Sequence, residues 1–255
     1  PMFIDTHVHL NNKDLYNKID SVLKDAKEAG VEKFFVVGYD FETSKLAIEI
    51  AKTYNNCFAI IGYHPTEIKE YNDFHYNWLE ENAKEDCVVA IGEIGYDFHW
   101  DTTTKEEQTL AFIRQIEIAK KVNKPISIHS RDAIDITLKT LFETNAKVVG
   151  GVMHSYSGSK EMAKLFIKEN FYLGISGPVT FKNGRVMKEV VEEVDLKYLV
   201  TETDSPYLTP HPHRGKENSP KYIPLIVEEI SKIKNIEIDD VAKQIEINVN
   251  KLFGV

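Results

Sequence analysis

Short apolar runs and amphipathic segments alternate eight times along the 255-residue chain. The runs are apolar at consecutive positions, as in Phe34–Val37, rather than at every second position. Strands that are buried on both faces and separated by helices form a parallel sheet covered by helices. Eight such units in about 250 residues match the count and size of a (β/α)8 TIM barrel, which is therefore the predicted fold.

The alternation sets the predicted boundaries of the elements. The predicted strands cover 2–10, 33–39, 57–64, 88–97, 125–129, 148–155, 171–176 and 198–204. The predicted helices cover 14–29, 42–54, 73–84, 104–121, 131–144, 159–169, 182–193, 222–234 and 238–252. A doubly wound open sheet is the alternative, but no Gly-x-Gly-x-x-Gly follows the first strand. Without a linker or low-complexity segment, residues 2–255 are predicted to form a single domain, and Pro1 is left out as a processing remnant.

Charge and composition exclude several classes of protein. The formal net charge of −9 leaves no global basic surface of the kind that duplex-coating proteins carry. No signal peptide or long apolar segment is visible, so no membrane association is expected. Cys57 and Cys87 each open an apolar run and are predicted to be buried free thiols, since no Cys-x-x-Cys exists. A reducing cytoplasm is the expected location.

The first predicted strand ends in His7-Val8-His9, and strand alternation places both imidazoles on one face. An isolated His-x-His is more often a surface or backbone-bonded pair than a metal site. Here, however, further histidines and carboxylates end other predicted strands, and strand ends meet at the active-site face of a barrel. The residues at these ends are His7, His9, His64, Glu93, His129, His154 and Asp204.

Six of these residues are predicted metal ligands, which is more than one tetrahedral ion needs. The six are His7, His9, Glu93, His129, His154 and Asp204. Two divalent ions with Glu93 shared between them fit this set. We assign His7, His9, Glu93 and Asp204 to one ion, and Glu93, His129 and His154 to the other. Histidine and carboxylate ligands suit zinc, manganese, nickel or iron, whereas magnesium prefers oxygen ligands.

Other residues near the strand ends are candidates for direct or supporting roles. Asp204 is a candidate for deprotonating a water, and Arg131 for contacting a phosphate or a leaving oxygen. His64 is a candidate for an acid or for a contact with a phosphate or leaving oxygen, instead of a ligand. Asp5 and Glu202 face inward by alternation and are candidates for orienting imidazoles. Both a functional role and an ordinary surface or packing role are open for Tyr156, Phe98, Trp100, Arg185 and Lys160. The histidines interpreted as ordinary loop residues are His99, His211 and His213.

The ordered motifs resemble those of the TatD family of metal-dependent deoxyribonucleases, within the amidohydrolase-like barrels. The motifs are Asp5-Thr6-His7-Val8-His9, Gly62-Tyr63-His64-Pro65, Gly92-Glu93-Ile94-Gly95-Tyr96-Asp97, His129-Ser130-Arg131, His154-Ser155-Tyr156-Ser157-Gly158, Glu202-Thr203-Asp204-Ser205-Pro206-Tyr207 and Arg214-Gly215-Lys216 with Asn218 and Pro220. They span nearly the entire chain. The resemblance implies a two-metal phosphodiesterase with 3′-to-5′ exonuclease activity on DNA, usually supported by magnesium.

Many amidohydrolase relatives bridge their metals with a carboxylated lysine, and Glu93 in that place favours the nuclease-like branch. The predicted substrate is single-stranded DNA or a frayed end, because a barrel mouth does not easily admit an intact duplex. A metal-dependent amide or ester hydrolase, including an aminoacyl-ester deacylase, is the alternative. A binding module without turnover ranks last. The chain is expected to be a monomer or a weak oligomer.

Overall fold

The computed structural model describes residues 2–255, so Pro1 lies outside the described residues. All strand pairs are parallel, and the strands follow one another around the sheet in chain order. The strands are β1 Phe3–Val8, β2 Val31–Val37, β3 Cys57–Ile61, β4 Val88–Asp97, β5 Ile126–Arg131, β6 Gly151–Met153, β7 Phe171–Ile175 and β8 Leu199–Thr201. The helices are α1 Lys13–Tyr16, α2 Ile19–Glu28, α3 Phe41–Thr53, α4 Asp73–Asn82, α5 Lys105–Val122, α6 Ile134–Glu143, α7 Lys160–Lys168, α8 Arg185–Glu193, α9 Ile223–Lys234 and α10 Ile238–Phe253.

The last strand returns to the first, which makes the sheet a nearly closed barrel. The hydroxyl of Thr6 donates to the carbonyl of Thr201 (2.9 Å), and the Thr201 hydroxyl donates to the carbonyl of Ile4 (2.8 Å). Just beyond, the Asp204 amide donates to the carbonyl of His7 (2.8 Å). Threonine hydroxyls thus bridge the seam between β1 and β8. The predicted TIM barrel is confirmed, and the open-sheet alternative is wrong.

The apolar runs are buried on both faces, as the prediction required. Every residue of β4 is buried, and Phe34, Phe35 and Val36 of β2 have no exposed surface. Cys57 is buried, but Cys87 is only half-buried, because it precedes β4 instead of lying within it. Both thiols are free. None of the helices within residues 2–255 has the length and apolarity needed to cross a lipid bilayer.

Several predicted boundaries are wrong, because residues 62–64 and 202–204 lie beyond the ends of β3 and β8. Two further differences have local reasons. The helix predicted over 14–29 is two helices, because the chain leaves helical geometry at Lys18 (φ −133°, ψ 32°) between α1 and α2. The strand predicted over 148–155 keeps only its middle part. Residues Ala146–Val148 form a 3-10 turn, and Gly150 adopts a positive φ of 66° before β6 begins. A residue at this φ cannot continue an extended strand.

Candidate metal centre

The predicted ligands converge at the carboxyl-terminal end of the barrel. His7 lies in β1 and His9 directly after it, Glu93 lies in β4, and His129 lies in β5. His154 and Asp204 follow β6 and β8, and Asp204 takes a left-handed backbone conformation (φ 57°). Each of these six side chains is buried or half-buried. The barrel geometry therefore brings together residues that are up to 197 positions apart, counting from His7 to Asp204.

Glu93 lies between two groups of histidines, and its two oxygens face different groups. Oε1 is 3.3 Å from Nε2 of His7 and 3.8 Å from Nε2 of His9. Oε2 is 2.9 Å from Nδ1 of His129 and 3.8 Å from Nε2 of His64. One carboxylate can therefore supply an oxygen to each side, as a shared metal ligand must.

Glycines around Glu93 allow β4 to lie close to its neighbours. A Cβ on Gly92 would lie 2.7 Å from the Cβ of Ser127. Gly95 has a φ of 144°, and a Cβ there would lie 2.0 Å from the carbonyl oxygen of His129. Any larger residue at position 95 would push β4 away from β5 and separate Glu93 from His129.

Within residues 2–255, three groups of side chains have potential ligand atoms within 4.8 Å of one another. They are His7 with His9 and Asp204, His7 with His154 and Glu202, and His64 with Glu93 and His129. The first group contains three of the four residues assigned to one ion and lacks Glu93. The third contains two of the residues assigned to the other ion and adds His64, for which a phosphate contact or an acid role was predicted. Which ion each ligand holds stays a prediction.

Two of the imidazoles, those of His9 and His64, have hydrogen-bond partners that fix their orientation. Nδ1 of His9 donates to the carbonyl of Val37 (2.9 Å), which leaves Nε2 facing Asp204 Oδ1 at 3.1 Å. Nδ1 of His64 accepts from the Thr66 amide (3.1 Å), so its Nε2 faces Glu93. A donating Nδ1, as in His9, leaves the lone pair of Nε2 available to a metal, whereas an accepting Nδ1, as in His64, leaves Nε2 as an N–H donor.

The two carboxylates predicted to orient imidazoles behave differently. Glu202 does so, because its Oε1 makes an ionic contact of 2.7 Å with Nδ1 of His154. For Asp5 the prediction is wrong, since Asp5 Oδ1 accepts from the backbone amides of His7 (3.2 Å) and Thr203 (3.0 Å). Asp5 therefore fixes the backbone beside the ligands and not an imidazole ring.

Asp97 is a supporting residue that the sequence analysis missed. Its Oδ2 accepts from Nε2 of His129 (2.8 Å), whereas the other ring nitrogen of His129, Nδ1, contacts Glu93. Its Oδ1 accepts from the His99 amide (2.9 Å). The signal was present, because Asp97 lies four residues after Glu93 and strand alternation places the two side chains on one face.

We expect Asp97→Asn to weaken metal binding by about 10- to 100-fold, the usual cost of removing a carboxylate that orients a metal-binding histidine. Equilibrium dialysis against metal buffers measures the change. Asp101→Asn, an exposed aspartate in the following loop, is the matched control. Equal metal affinity in the two variants would show that Asp97 does not orient His129.

The charges of the centre suit a cation. Burial raises the pKa of Glu93 and of Asp204, but contacts with the surrounding histidines outweigh it and hold both pKa values below the usual range. Burial and the neighbouring His154 lower the pKa of His7, so this imidazole is neutral. Both ring nitrogens of His7 are buried and neither has a hydrogen-bond partner among residues 2–255. Ionised carboxylates around an unpartnered neutral imidazole fit a divalent metal.

His64 is neutral as well. Burial and the nearby His129 lower its pKa to about 3. A protonated imidazole is therefore absent from this position at neutral pH, which argues against the predicted acid role. A neutral His64 whose Nδ1 accepts can donate a hydrogen bond from Nε2 to a phosphate, and in the other tautomer it can bind a metal through Nε2.

The centre opens into a cavity of about 510 Å³. Its walls include Arg131 and the exposed indole of Trp100, so both reach the site as the sequence analysis allowed. Tyr156 is buried and its hydroxyl donates to the carbonyl of Ser159 (2.7 Å), which makes it a packing residue. Arg185 pairs with Glu189 (2.8 Å) on the surface of α8. The cavity also contains Tyr39, Thr66 and Glu67, which the sequence analysis did not name as site candidates, and Tyr207, which it named only within a motif.

Comparisons with known proteins agree with this geometry. The sequence model of the family described as TatD related DNase matches residues 4–254. The uncharacterized metal-dependent hydrolase YabD of Bacillus subtilis is 42% identical, with 100% of both chains covered. The 3′-5′ ssDNA/RNA exonuclease TatD of Escherichia fergusonii is 31% identical, with 98% of each chain covered. The crystal structure of the TatD homologue YJJV from Escherichia coli superposes with a TM-score of 0.94 at 27% identity, covering 99% of this chain and 98% of that one. This chain therefore belongs to the TatD family of metal-dependent hydrolases.

Proposed function

We propose that this protein is a two-metal phosphodiesterase that removes nucleotides from the 3′ end of single-stranded or frayed DNA. The observation that carries the proposal is the position of Glu93, whose two carboxylate oxygens face two separate groups of histidines. Paired ions suit in-line displacement at phosphorus, because they can stabilise both the attacking and the leaving oxygen.

Two divalent ions held by the six predicted ligands would supply a water of lowered pKa and a polarised phosphoryl oxygen. Asp204 would accept a proton from the attacking water, because its carboxylate is held ionised and lines the cavity. The guanidinium of Arg131 reaches the cavity and contacts the phosphate through two N–H groups. His64 donates a hydrogen bond to a phosphate oxygen or binds one of the ions.

The acidic chain and its narrow site favour a nucleic-acid end over an intact duplex. Affinity for phosphate then comes from the bound ions and Arg131, because the protein carries a net charge of −9. The exonuclease name of one relative supports the polarity of the reaction. The proposal includes a monomer or weak oligomer located in the cytoplasm, where free thiols such as Cys57 and Cys87 stay reduced.

The test uses metal-free protein and a 5′-labelled DNA strand with a single-stranded 3′ tail. Magnesium, manganese, zinc or nickel is added back separately, and the products are separated by length. We expect a metal-dependent ladder that shortens from the 3′ end. An RNA strand of the same sequence, tested in parallel, shows whether the protein prefers deoxyribose or ribose in its substrate.

Cleavage inside a long blunt duplex without preference for ends would contradict the proposal. An intact strand under every metal would also overturn it, and it would favour the alternative of amide or ester hydrolysis. A panel of amides, lactones and aminoacyl esters then identifies the bond that breaks.

A further inference from the structure

Charge is distributed unevenly around the mouth of the barrel. Residues 176–185, after β7, and 205–221, after β8, together contain five basic residues and one acidic residue. These are Lys182, Arg185, Arg214, Lys216 and Lys221, against Glu217. Residues 38–40 and 62–72, after β2 and β3, contain three acidic residues and one basic residue, namely Asp40, Glu67, Glu70 and Lys69. One side of the rim is thus basic on a protein that is acidic overall.

The two basic loops form one continuous surface. The amide of His211 donates to the hydroxyl of Thr180 (2.8 Å), which joins the loop after β8 to the loop after β7. The Arg214 guanidinium lies 3.7 Å from the centre of the Phe181 ring. A stacked guanidinium is held in place, and although Nη1 of Arg214 donates to Oδ1 of Asn183 (3.5 Å), its other N–H groups remain available for a phosphate. We call Lys182, Arg214 and Lys216 the basic rim.

The charges of the basic rim are not neutralised by neighbouring carboxylates. All three side chains are exposed, and none makes an ion pair within residues 2–255. The acidic residue of these loops, Glu217, pairs instead with Lys18 of the segment between α1 and α2. Arg185, in contrast, is paired with Glu189. The basic rim is therefore free to bind an anion supplied from outside.

The loop that carries Arg214 and Lys216 starts at the metal centre. Asp204 lies at its beginning, and Tyr207 lies in the cavity wall with 55% of its surface exposed. A base that leaves the cavity on this side meets an aromatic ring first and the basic rim beyond it. Glu67, in the loop after β3, also lines the cavity. Burial raises the pKa of Glu67, and the negative charge of nearby Asp40 raises it further.

We propose that the basic rim binds the phosphate backbone of a single-stranded nucleic acid whose 3′-terminal nucleotide occupies the cavity. This inference rests on the proposed function and adds the path of the substrate. A cavity of about 510 Å³ has the size of a site for a small ligand, so the rest of a strand lies outside it. Phosphates are attracted to the basic rim and repelled by the acidic loops after β2 and β3.

The test measures binding of a fluorescent 20-nucleotide oligo(dT) by anisotropy at several salt concentrations, in an Asp204→Asn background that blocks cleavage. The test variant is Lys182→Gln/Arg214→Gln/Lys216→Gln. The matched control removes three exposed, unpaired lysines from the helices α2 and α10, Lys24→Gln/Lys243→Gln/Lys251→Gln. Because the control loses the same charge, it separates the basic rim from the net charge of the protein.

We expect the basic-rim variant to raise the Kd about tenfold and to reduce the slope of log Kd against log salt by about 2, since each phosphate contact on a single strand contributes about 0.7. In the control variant, the changes in Kd and in the salt slope should each be less than about 20% of the changes in the basic-rim variant. The loss must also be larger for the 20-nucleotide strand than for a dinucleotide competitor. The double variant Lys182→Gln/Lys216→Gln keeps the Arg214 stack and should show an intermediate effect even if the triple variant folds poorly.

Equal Kd values and salt slopes in the basic-rim and control variants would overturn the inference, whether or not the protein cleaves DNA. An equal loss of affinity for the dinucleotide would also overturn the inference. The basic rim would then affect binding inside the cavity and not binding of the strand outside it. A strand that binds through the basic rim but is not hydrolysed by the unblocked protein with any metal would refute the proposed function alone.

Discussion

Asp204→Asn is expected to lower kcat/KM for the 3′-tailed strand about 10³-fold, in the range that removal of a general base or a metal ligand produces. The substitution preserves the size of the side chain, but an amide cannot accept the proton of the attacking water. It also removes a negative charge that holds His9 at 3.1 Å and lies 3.5 Å from Nε2 of His7. Single-turnover cleavage with saturating manganese measures the effect.

The matched control for this variant is Asp240→Asn, an exposed aspartate in the first turn of α10 that makes the same chemical change far from the site. The control should keep the activity of the unmodified chain. Thermal unfolding and bound metal are recorded for both variants. If Asp204→Asn binds metal normally and still cleaves at the original rate, Asp204 neither activates the water nor binds an essential ion.

The sequence predicted the members of the centre better than their geometry. Parallel strands that are apolar on both faces specify a barrel, and a barrel brings its strand ends together, so His129 and His154 could be placed in one site from their positions alone. The same argument could not decide which oxygen of Glu93 faces which histidine. That depends on side-chain rotamers and on the close approach of β4 and β5 at Gly95.

Supporting contacts were harder to predict than ligands. Strand alternation identified Glu202 correctly because it shares a face with Asp204, and the same rule could have found Asp97. It failed for Asp5, which also faces inward but meets the backbone amides of His7 and Thr203 before it can reach an imidazole. Alternation gives the face of a side chain, whereas its partner depends on how far neighbouring strands are staggered.

Glu93→Gln is expected to remove at least one of two bound ions per chain and to lower kcat/KM by more than about 10³-fold, because the metal-activated water and the shared ligand are lost together. The amide keeps the shape of Glu93 but not its charge. In the unmodified chain, burial lowers the pKa of His129, but contacts with Asp97 and Glu93 raise it to about 9. Without Glu93 the pKa of His129 in metal-free protein should therefore fall, which NMR titration detects.

Glu67→Gln is the matched control, because Glu67 lies in the same cavity but belongs to none of the three groups of potential ligands within residues 2–255. Metal content measured by mass spectrometry should stay at the level of the unmodified chain in this control. Loss of metal in both variants would mean that the net charge of the cavity, and not a shared ligand, holds the ions. Full metal content in Glu93→Gln would instead contradict the proposal that Glu93 is shared by two ions. An amide offers only one oxygen, whereas the proposed bridge requires two.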